Sequence, residues 1–118
     1  MSYHEKKEEF YGNKYVIEAK KYIERNFHLK ITVSEIAQAL YIDDRYLYNL
    51  FIKHEGKSPK KYLNDLRLQN ACSMLRTGKY SITEVAVSVG FSDVLAFSRF
   101  FSNHMKISPT LYKNGKTV

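Results

Sequence analysis

The sequence contains one cysteine, Cys72, and no tryptophan. A single cysteine excludes an intrachain disulfide and a zinc site built from several thiolates. Its position between Ala71 and Leu75 predicts a small apolar core residue. No two histidines have metal-ligand spacing within one predicted element, so we expect no metal site. The histidines are His4, His28, His54 and His104.

No apolar run approaches the roughly 20 residues that span a bilayer, and no signal peptide is recognisable. We therefore expect a cytoplasmic protein without a membrane partner. The sequence also lacks a glycine-rich phosphate loop, a nucleophile–base constellation and a carboxylate pair of the kind that active sites use. These absences predict a protein that is not an enzyme and that needs no cofactor.

Acidic residues are outnumbered by basic ones: 12 Asp and Glu stand against 19 Lys and Arg, for a formal net charge of +7. Three Glu and two Lys lie within residues 1–9, so the positive excess belongs to the rest of the chain. The length of 118 residues predicts one domain, or two small ones sharing a core. A basic globule favours DNA, RNA or an anionic membrane surface, although solvated lysines explain the charge equally well.

The two halves of the chain repeat each other. Residues 33–37, Val-Ser-Glu-Ile-Ala, align with residues 82–86, Ile-Thr-Glu-Val-Ala. Aligned residues are 49 positions apart up to the pair Asp44 and Asp93, and 50 positions apart from the pair Leu47 and Phe97 onward. The change of offset predicts one inserted residue in the second copy between these two pairs. Two copies of one unit on a basic chain indicate two contacts with one long polymeric ligand, and are too few for a solenoid.

Apolar residues recur with a helical period, and no strand-like alternation interrupts them. We predict an all-α fold of about seven helices. The first helix begins at Tyr15, whereas the polar residues 1–14, with Gly12-Asn13 near their end, predict an unstructured tail or linker remnant. The other helices are expected at about 32–41, 44–55, 59–76, 82–89, 93–105 and 109–112.

A short helix, a tight turn and a second helix packed across it form the helix-turn-helix, whose second helix enters the major groove of DNA. Both copies have a small residue where the helices approach, an apolar residue at the turn and a capped second helix. These residues are Ala37 and Ala86 at the approach, and Ile42 and Phe91 at the turn. The long middle helix, at roughly 27 Å, could set two recognition helices in adjacent major grooves about 34 Å apart.

The helical period also predicts which residues face DNA. The residues expected inside are Leu47, Leu50 and Phe51 in the first copy, and Phe97, Phe100 and Phe101 in the second. The opposite stripes are Arg45, Tyr48, Asn49 and Ile52, then Leu95, Ser98, Arg99 and Ser102. Arginine suits guanine edges, asparagine suits adenine edges and apolar side chains suit thymine methyls. The predicted base contacts are Arg45, Tyr48, Asn49, Val94, Leu95, Ser98 and Arg99. The predicted phosphate contacts are Ser34, Lys53, Lys60, Lys61 and Thr83.

Over about residues 15–113 the chain resembles the DNA-binding domain of the AraC/XylS family of transcription regulators. The motifs are Tyr46-Leu47-Tyr48-Asn49-Leu50-Phe51, Gly56-Lys57-Ser58-Pro59, Gly90-Phe91-Ser92-Asp93 and Phe97-Ser98-Arg99-Phe100-Phe101. The chain departs from the family pattern in having Lys106 for a glycine, Lys113 for an arginine and Leu95-Ala96 for a more polar pair.

The resemblance implies two helix-turn-helix subdomains, at 15–57 and 79–113, joined by a linker helix at 58–78, with a tail at 114–118. It implies sequence-specific binding of double-stranded DNA at an asymmetric promoter site, transcription activation and contact with RNA polymerase. An effector or receiver domain normally precedes such a domain. This chain is therefore either a stand-alone short regulator or an excised C-terminal domain of a larger regulator, and we favour the excised domain.

Two alternatives remain open. A sequence-independent nucleic-acid binder would lose affinity for all sequences equally when Arg45 or Arg99 is replaced by alanine. A protein-interaction module that keeps the helix-turn-helix shape would bind its partner even with the charges of Lys60 and Lys61 reversed.

Overall fold

A computed structural model of the protein describes residues 2–115, apart from the side chains of His4 and Glu8. These residues form seven helices and no strand, which confirms the predicted fold class. The helices are α1 (Tyr3–Asn26), α2 (Val33–Ala39), α3 (Asp44–Glu55), α4 (Pro59–Thr77), α5 (Ile82–Ser88), α6 (Val94–Met105) and α7 (Pro109–Lys113). None of the described helices is both long and apolar enough to cross a membrane. Residues 116–118 of the expected tail, like Met1, lie outside the described residues.

The chain folds as two compact units whose boundaries differ from the predicted subdomains. The first unit comprises the residues up to Asn26 together with Ile31–Leu63, and the second comprises Phe27–Lys30 together with the residues from Asn64 onward. Helix α4 spans the division between the units, since its residues 59–63 lie in the first unit and its residues 64–77 in the second.

The expectation of an unstructured tail over residues 1–14 is wrong from Tyr3 onward, because α1 begins there. The Ser2 hydroxyl caps this start by accepting a hydrogen bond of 3.2 Å from a backbone N–H in the first turn. Glycine often ends a helix, but Gly12 is buried within α1, and a Cβ atom there would lie 2.8 Å from Cδ2 of Leu50. The absence of a side chain at Gly12 allows α1 and α3 to approach closely.

The core of the first unit is built from α1, α2, α3 and the start of α4. Its buried apolar side chains are Val16, Ala19, Ile23, Ile36, Ala37, Leu47, Leu50, Phe51 and Leu63.

The helices of the first unit begin and end at capping residues that are close in sequence. The side chains of Thr32 and Asp43 cap α2 and α3 by accepting backbone hydrogen bonds of 3.2 and 2.8 Å. Gly56 ends α3 with a φ of 75°.

The core of the second unit joins α4, α5 and α6. Its buried residues are Ala71, Cys72, Leu75, Val85, Ala86, Val89, Phe97 and Phe101. Cys72 is thus the small core residue that its spacing predicts. Phe100, expected inside, is only half-buried, because it lies at the edge of the inward stripe of α6. Its ring lies 5.1 Å from the ring of Phe91 and 4.6 Å from that of His104.

The inserted residue of the second copy lies in the turn before α6. Helices α3 and α6 each contain 12 residues and begin after the caps Asp43 and Asp93, which are 50 positions apart. The expected insertion inside the start of the second helix is therefore wrong, and the extra residue is Ser92. Both turns keep one backbone pattern, in which the N–H groups of Ile42 and Phe91 donate to the carbonyl five residues earlier, at 3.0 and 2.9 Å.

Candidate nucleic-acid interface

Helix α3 is buried on one face and exposed on the other. The buried residues are Leu47, Leu50 and Phe51, as the helical period predicts. The exposed residues are Arg45, Tyr48, Asn49 and Ile52. On this face Tyr48 is 50% exposed and Ile52 is 45% exposed, beside the polar side chains of Arg45 and Asn49. This combination of a guanidinium, an amide and apolar surface matches what base edges in a major groove can bind.

The equivalent face of α6 is less polar and less accessible. Leu95 is 63% exposed and Arg99 is also exposed, whereas Ser98 is half-buried. Val94 is half-buried as well, since it packs against the core of the second unit. Among the predicted base contacts of this helix, Leu95 and Arg99 therefore offer the most surface to a ligand.

Polar groups at the starts of the short helices α2 and α5 already form hydrogen bonds within the protein. The Ser34 hydroxyl, a predicted phosphate contact, donates to the carboxylate of Asp44 at the start of α3. Thr83 is exposed in the first turn of α5, next to a reciprocal pair of hydrogen bonds. In that pair the Ser81 side chain accepts from the Glu84 N–H and the Glu84 carboxylate accepts from the Ser81 N–H, both at 3.0 Å. The bond from the Ser81 backbone keeps the pKa of Glu84 below its usual value.

The predicted phosphate-binding lysines lie at the end of α3 and the start of α4. Lys53, Lys60 and Lys61 are exposed there. Lys57, between them in sequence, is half-buried, and its Nζ lies 5.5 Å from the ring centre of Tyr62. The lysines of this region therefore differ in exposure, because Lys57 packs against an aromatic ring and is half-buried while Lys53, Lys60 and Lys61 are exposed.

Arg67 of α4 positions the turn that precedes α6. Its Nε donates to the carbonyl of Phe27 at 3.0 Å and its Nη2 to that of Leu29 at 2.7 Å. Its guanidinium also lies 5.6 Å from the ring centre of Phe91, a residue of the turn. Burial lowers the pKa of Arg67, although a guanidinium stays charged at neutral pH. Sequence reasoning did not identify this role, whose only signal is an arginine within the apolar part of a long helix.

Sequence reasoning also missed an acidic feature beside α3. Residues from α1 and α3 line a surface cleft of about 390 Å³. The lining residues are Glu5, Glu9, Tyr46, Asn49, Leu50, Lys53 and His54. Asn49 and Lys53 are predicted DNA contacts, so two carboxylates of α1 face the side of α3 that is expected to read DNA. The signal was present in the sequence, since positions 5, 9, 12 and 16 continue the inward stripe of α1 towards its start.

Within the described part of the chain, no group of three or more His, Cys, Asp or Glu side chains is placed to hold a metal ion. Each unit presents a short helix, a turn and a second helix whose outer face mixes donors with apolar surface. These features define a protein of the helix-turn-helix class that carries two such motifs.

The comparison with family models agrees with this class, since the model described as "Helix-turn-helix domain" matches residues 36–115. The chain belongs to the AraC-type family of helix-turn-helix transcription regulators. It is 37% identical over 99 residues to the Msm operon regulatory protein of Streptococcus mutans, which covers 84% of this chain and 36% of that protein. It is 36% identical over 93 residues to the lactose operon transcription activator of Staphylococcus xylosus, with coverages of 79% and 33%. The chain therefore spans about a third of the length of these curated relatives.

Solved structures share the fold. The C-terminal domain of AraT, a response regulator from Geobacillus stearothermophilus, superposes with a TM-score of 0.82 at 27% identity, covering 88% of this chain and 87% of that one. The DNA-binding domain of the global transcriptional factor AdpA, solved in complex with a target DNA, superposes with a TM-score of 0.73 at 26% identity, covering 88% and 90%. Binding of DNA by a domain of this fold is thus directly represented among its structural neighbours.

Proposed function

We propose that this chain binds double-stranded DNA sequence-specifically and regulates transcription, with α3 and α6 entering adjacent major grooves. The observation that carries the proposal is the exposed stripe that recurs on the second helix of each motif, with an arginine in both copies. Base contacts are proposed for Arg45, Tyr48, Asn49, Val94, Leu95, Ser98 and Arg99. Phosphate contacts are proposed for Lys53, Lys60 and Lys61, and for the helix starts near Ser34 and Thr83.

The two stripes differ in chemistry, and the DNA site is therefore asymmetric. Helix α3 offers Arg45 and Asn49, which suit guanine and adenine edges. Helix α6 offers Arg99 beside the exposed side chain of Leu95, which suits a guanine next to a thymine methyl. A single chain then reads two different short blocks of sequence about one helical turn apart.

We further propose that the regulator activates transcription in the cytoplasm by contacting RNA polymerase from this site. The name of the lactose operon transcription activator, a relative that shares this domain, supports activation. The aligned region is 33% of that relative, which supports an additional effector or receiver domain in the intact regulator. A reporter gene placed downstream of the selected site would report activation as increased expression and repression as decreased expression.

The direct test of DNA reading is selection from random duplex DNA, followed by affinity measurements on Arg45→Ala and Arg99→Ala. We expect two sequence blocks, and each variant should lose about 1–3 kcal/mol of discrimination at its own block only. Arg25→Ala, which removes the same charge from the exposed surface of α1, is the matched control and should leave both blocks intact.

Other outcomes distinguish the alternatives. Binding without a selected motif, which all three arginine variants weaken equally on every sequence, would identify a charge-driven nucleic-acid binder. Absence of DNA binding at low salt would leave the protein-interaction module, whose partner binding should survive charge reversal at Lys60 and Lys61.

A further inference from the structure

The first helix carries two kinds of residue on the face that it turns towards α3. From Gly12 towards its end this face is apolar and buried, with Val16, Ala19 and Ile23 in the core. Continuing the same stripe towards the start of the helix brings Glu9 and then Glu5. The inward face of α1 is therefore apolar where it packs on the core and acidic where it extends past it.

The close contact at Gly12 keeps the acidic part of α1 beside α3. A Cβ atom at Gly12 would lie 2.8 Å from Leu50 Cδ2 and 3.4 Å from His54 Nε2, so the two helices are in direct contact at this point. Glu9 is less than one helical turn from Gly12, and Glu5 is one further turn away. Both carboxylates line the cleft whose other wall contains Asn49 and Lys53.

We propose that Glu5 and Glu9 lower the affinity of the first motif for DNA. They compete with DNA phosphates for Lys53, and they repel the polyanion as it approaches Asn49. This inference rests on the proposed function, because Lys53 and Asn49 matter here as DNA contacts. Carboxylates near a cationic DNA contact lower its attraction for phosphate, and the effect is screened as salt is added. The start of α1 thus acts as an internal competitor of the DNA.

The test compares three single variants that each remove one negative charge from α1: Glu5→Gln, Glu9→Gln and Glu18→Gln. Glu18 is the matched control, since its exposed side chain pairs with Lys21, 3.6 Å away, and does not line the cleft. The probe is a labelled random-sequence duplex, titrated at low and at moderate salt. We expect Glu9→Gln to tighten binding by about threefold to tenfold at low salt, Glu5→Gln by less, and Glu18→Gln by less than about twofold.

A double-mutant cycle with Lys53→Ala separates competition for Lys53 from a general change in charge. In the Lys53→Ala background the gain from Glu9→Gln should largely disappear. An equal gain in both backgrounds, or equal gains from Glu9→Gln and Glu18→Gln, would overturn the proposal.

A measurement without DNA makes failure of this inference distinguishable from failure of the proposed function. The side-chain amide resonances of Asn49 in the unbound protein should shift in Glu9→Gln and remain in place in Glu18→Gln. If they shift and no variant binds DNA, the contact between α1 and α3 stands while the proposed function fails. If wild-type protein binds DNA and the resonances are unchanged in Glu9→Gln, the proposed function stands and this inference fails.

Discussion

The turn between α2 and α3 and the turn between α5 and α6 are equivalent in the repeat, yet they hold opposite kinds of residue. Tyr41 occupies the first with a φ of 59° and 94% of its surface exposed. Gly90 occupies the second with a φ of 98°, and a Cβ atom there would lie 2.6 Å from the carbonyl oxygen of Phe27 and 2.9 Å from Nη2 of Arg67. Both turns need a left-handed residue, but only the second is covered by other parts of its unit. The backbone conformation is thus common to the two copies, and packing decides which side chain each can hold.

The residues that directly follow α3 and α6 also differ between the copies, and here the glycine is in the first copy. Gly56 follows α3 with a φ of 75°, and its equivalent Lys106 follows α6 with a φ of 61°. Nothing lies within 4 Å of a Cβ atom at Gly56, so a side chain would fit there. Lys106 is exposed and also has a positive φ, so the departure from the family pattern there costs backbone strain.

The two copies also use one tyrosine differently. Tyr62 and Tyr112 are equivalent, and their rings contact Phe51 and Phe101 at 5.9 and 5.5 Å. The hydroxyl of Tyr62 donates to a carboxylate of α1 at 3.0 Å, whereas that of Tyr112 accepts from an arginine of α4 at 2.7 Å. The aromatic contact is repeated, and the charge of the polar partner is reversed.

The largest expected effect tests the two turns directly. Gly90→Ala should lower the free energy of unfolding by about 3 kcal/mol, because it adds backbone strain and a contact with a carbonyl that cannot move away. Tyr41→Ala, at the equivalent open turn, should change it by less than about 1 kcal/mol. Urea unfolding followed by circular dichroism measures both. Equal losses for the two variants would show that the turns are packed alike.

The next effect concerns the residue that covers the second turn. Arg67→Met keeps most of the aliphatic length but removes the donors to the Phe27 and Leu29 carbonyls, and should cost about 2 kcal/mol of unfolding free energy. Arg76→Met is the control, since Arg76 is exposed and its hydrogen bonds to Tyr112 and Ser73 are open to solvent, and it should cost less than about 1 kcal/mol. A loss for Arg67→Met no larger than for the control would remove Arg67 from this role.

A smaller effect of opposite sign is expected at the end of α6. Lys106→Gly should raise the free energy of unfolding by about 1 kcal/mol, because glycine adopts the left-handed conformation without strain. Lys106→Ala removes the same charge and keeps the Cβ atom, so it should give no such gain. If both variants stabilise the protein equally, the gain comes from charge and the strain argument fails.

The smallest effect is a loss of stability at alkaline pH, to which Tyr62 should contribute. Burial and the hydrogen bond to Glu24 raise the pKa of Tyr62 to about 12. An unfolded tyrosine has a pKa of about 10, so the stability contributed by protonated Tyr62 is complete below pH 10 and is lost as the pH rises towards 12. Across this pH range, the free energy of unfolding of Tyr62→Phe should depend less on pH than that of the wild-type protein. Tyr112→Phe is the control, and an identical change in both variants would contradict the assignment to Tyr62.

Much of the fold could be predicted from the sequence, because the relevant signals are local. Asp43 and Asp93 begin helices through hydrogen bonds to N–H groups two or three residues later, and Gly56 ends one within a single turn. The inward and outward faces of α3 follow from the helical period, and all four residues expected on its outer face are exposed. The finer site assignments, including every base and phosphate contact, stay predictions.

The errors lie where distant residues decide the outcome. Gly12 looked like the end of a tail because glycine is a poor helix former, and only its contact with Leu50 explains a glycine inside α1. Phe100 has the spacing of a core residue, but it lies at the edge of the inward stripe of α6, where its ring packs beside Phe91 and His104 and stays half-buried.

The sequence by itself determined the helices from Tyr15 onward, the caps of α3 and α6 and the exposed stripe of α3, because each depends on residues within a few turns of one another. Only the tertiary structure decided that Phe27–Lys30 join the second unit, since Arg67 binds their carbonyls from 40 and 38 residues away. Only the tertiary structure placed Glu5 and Glu9 beside the predicted DNA contacts of α3. Proximity through space arises from packing of whole helices, and no local period encodes it.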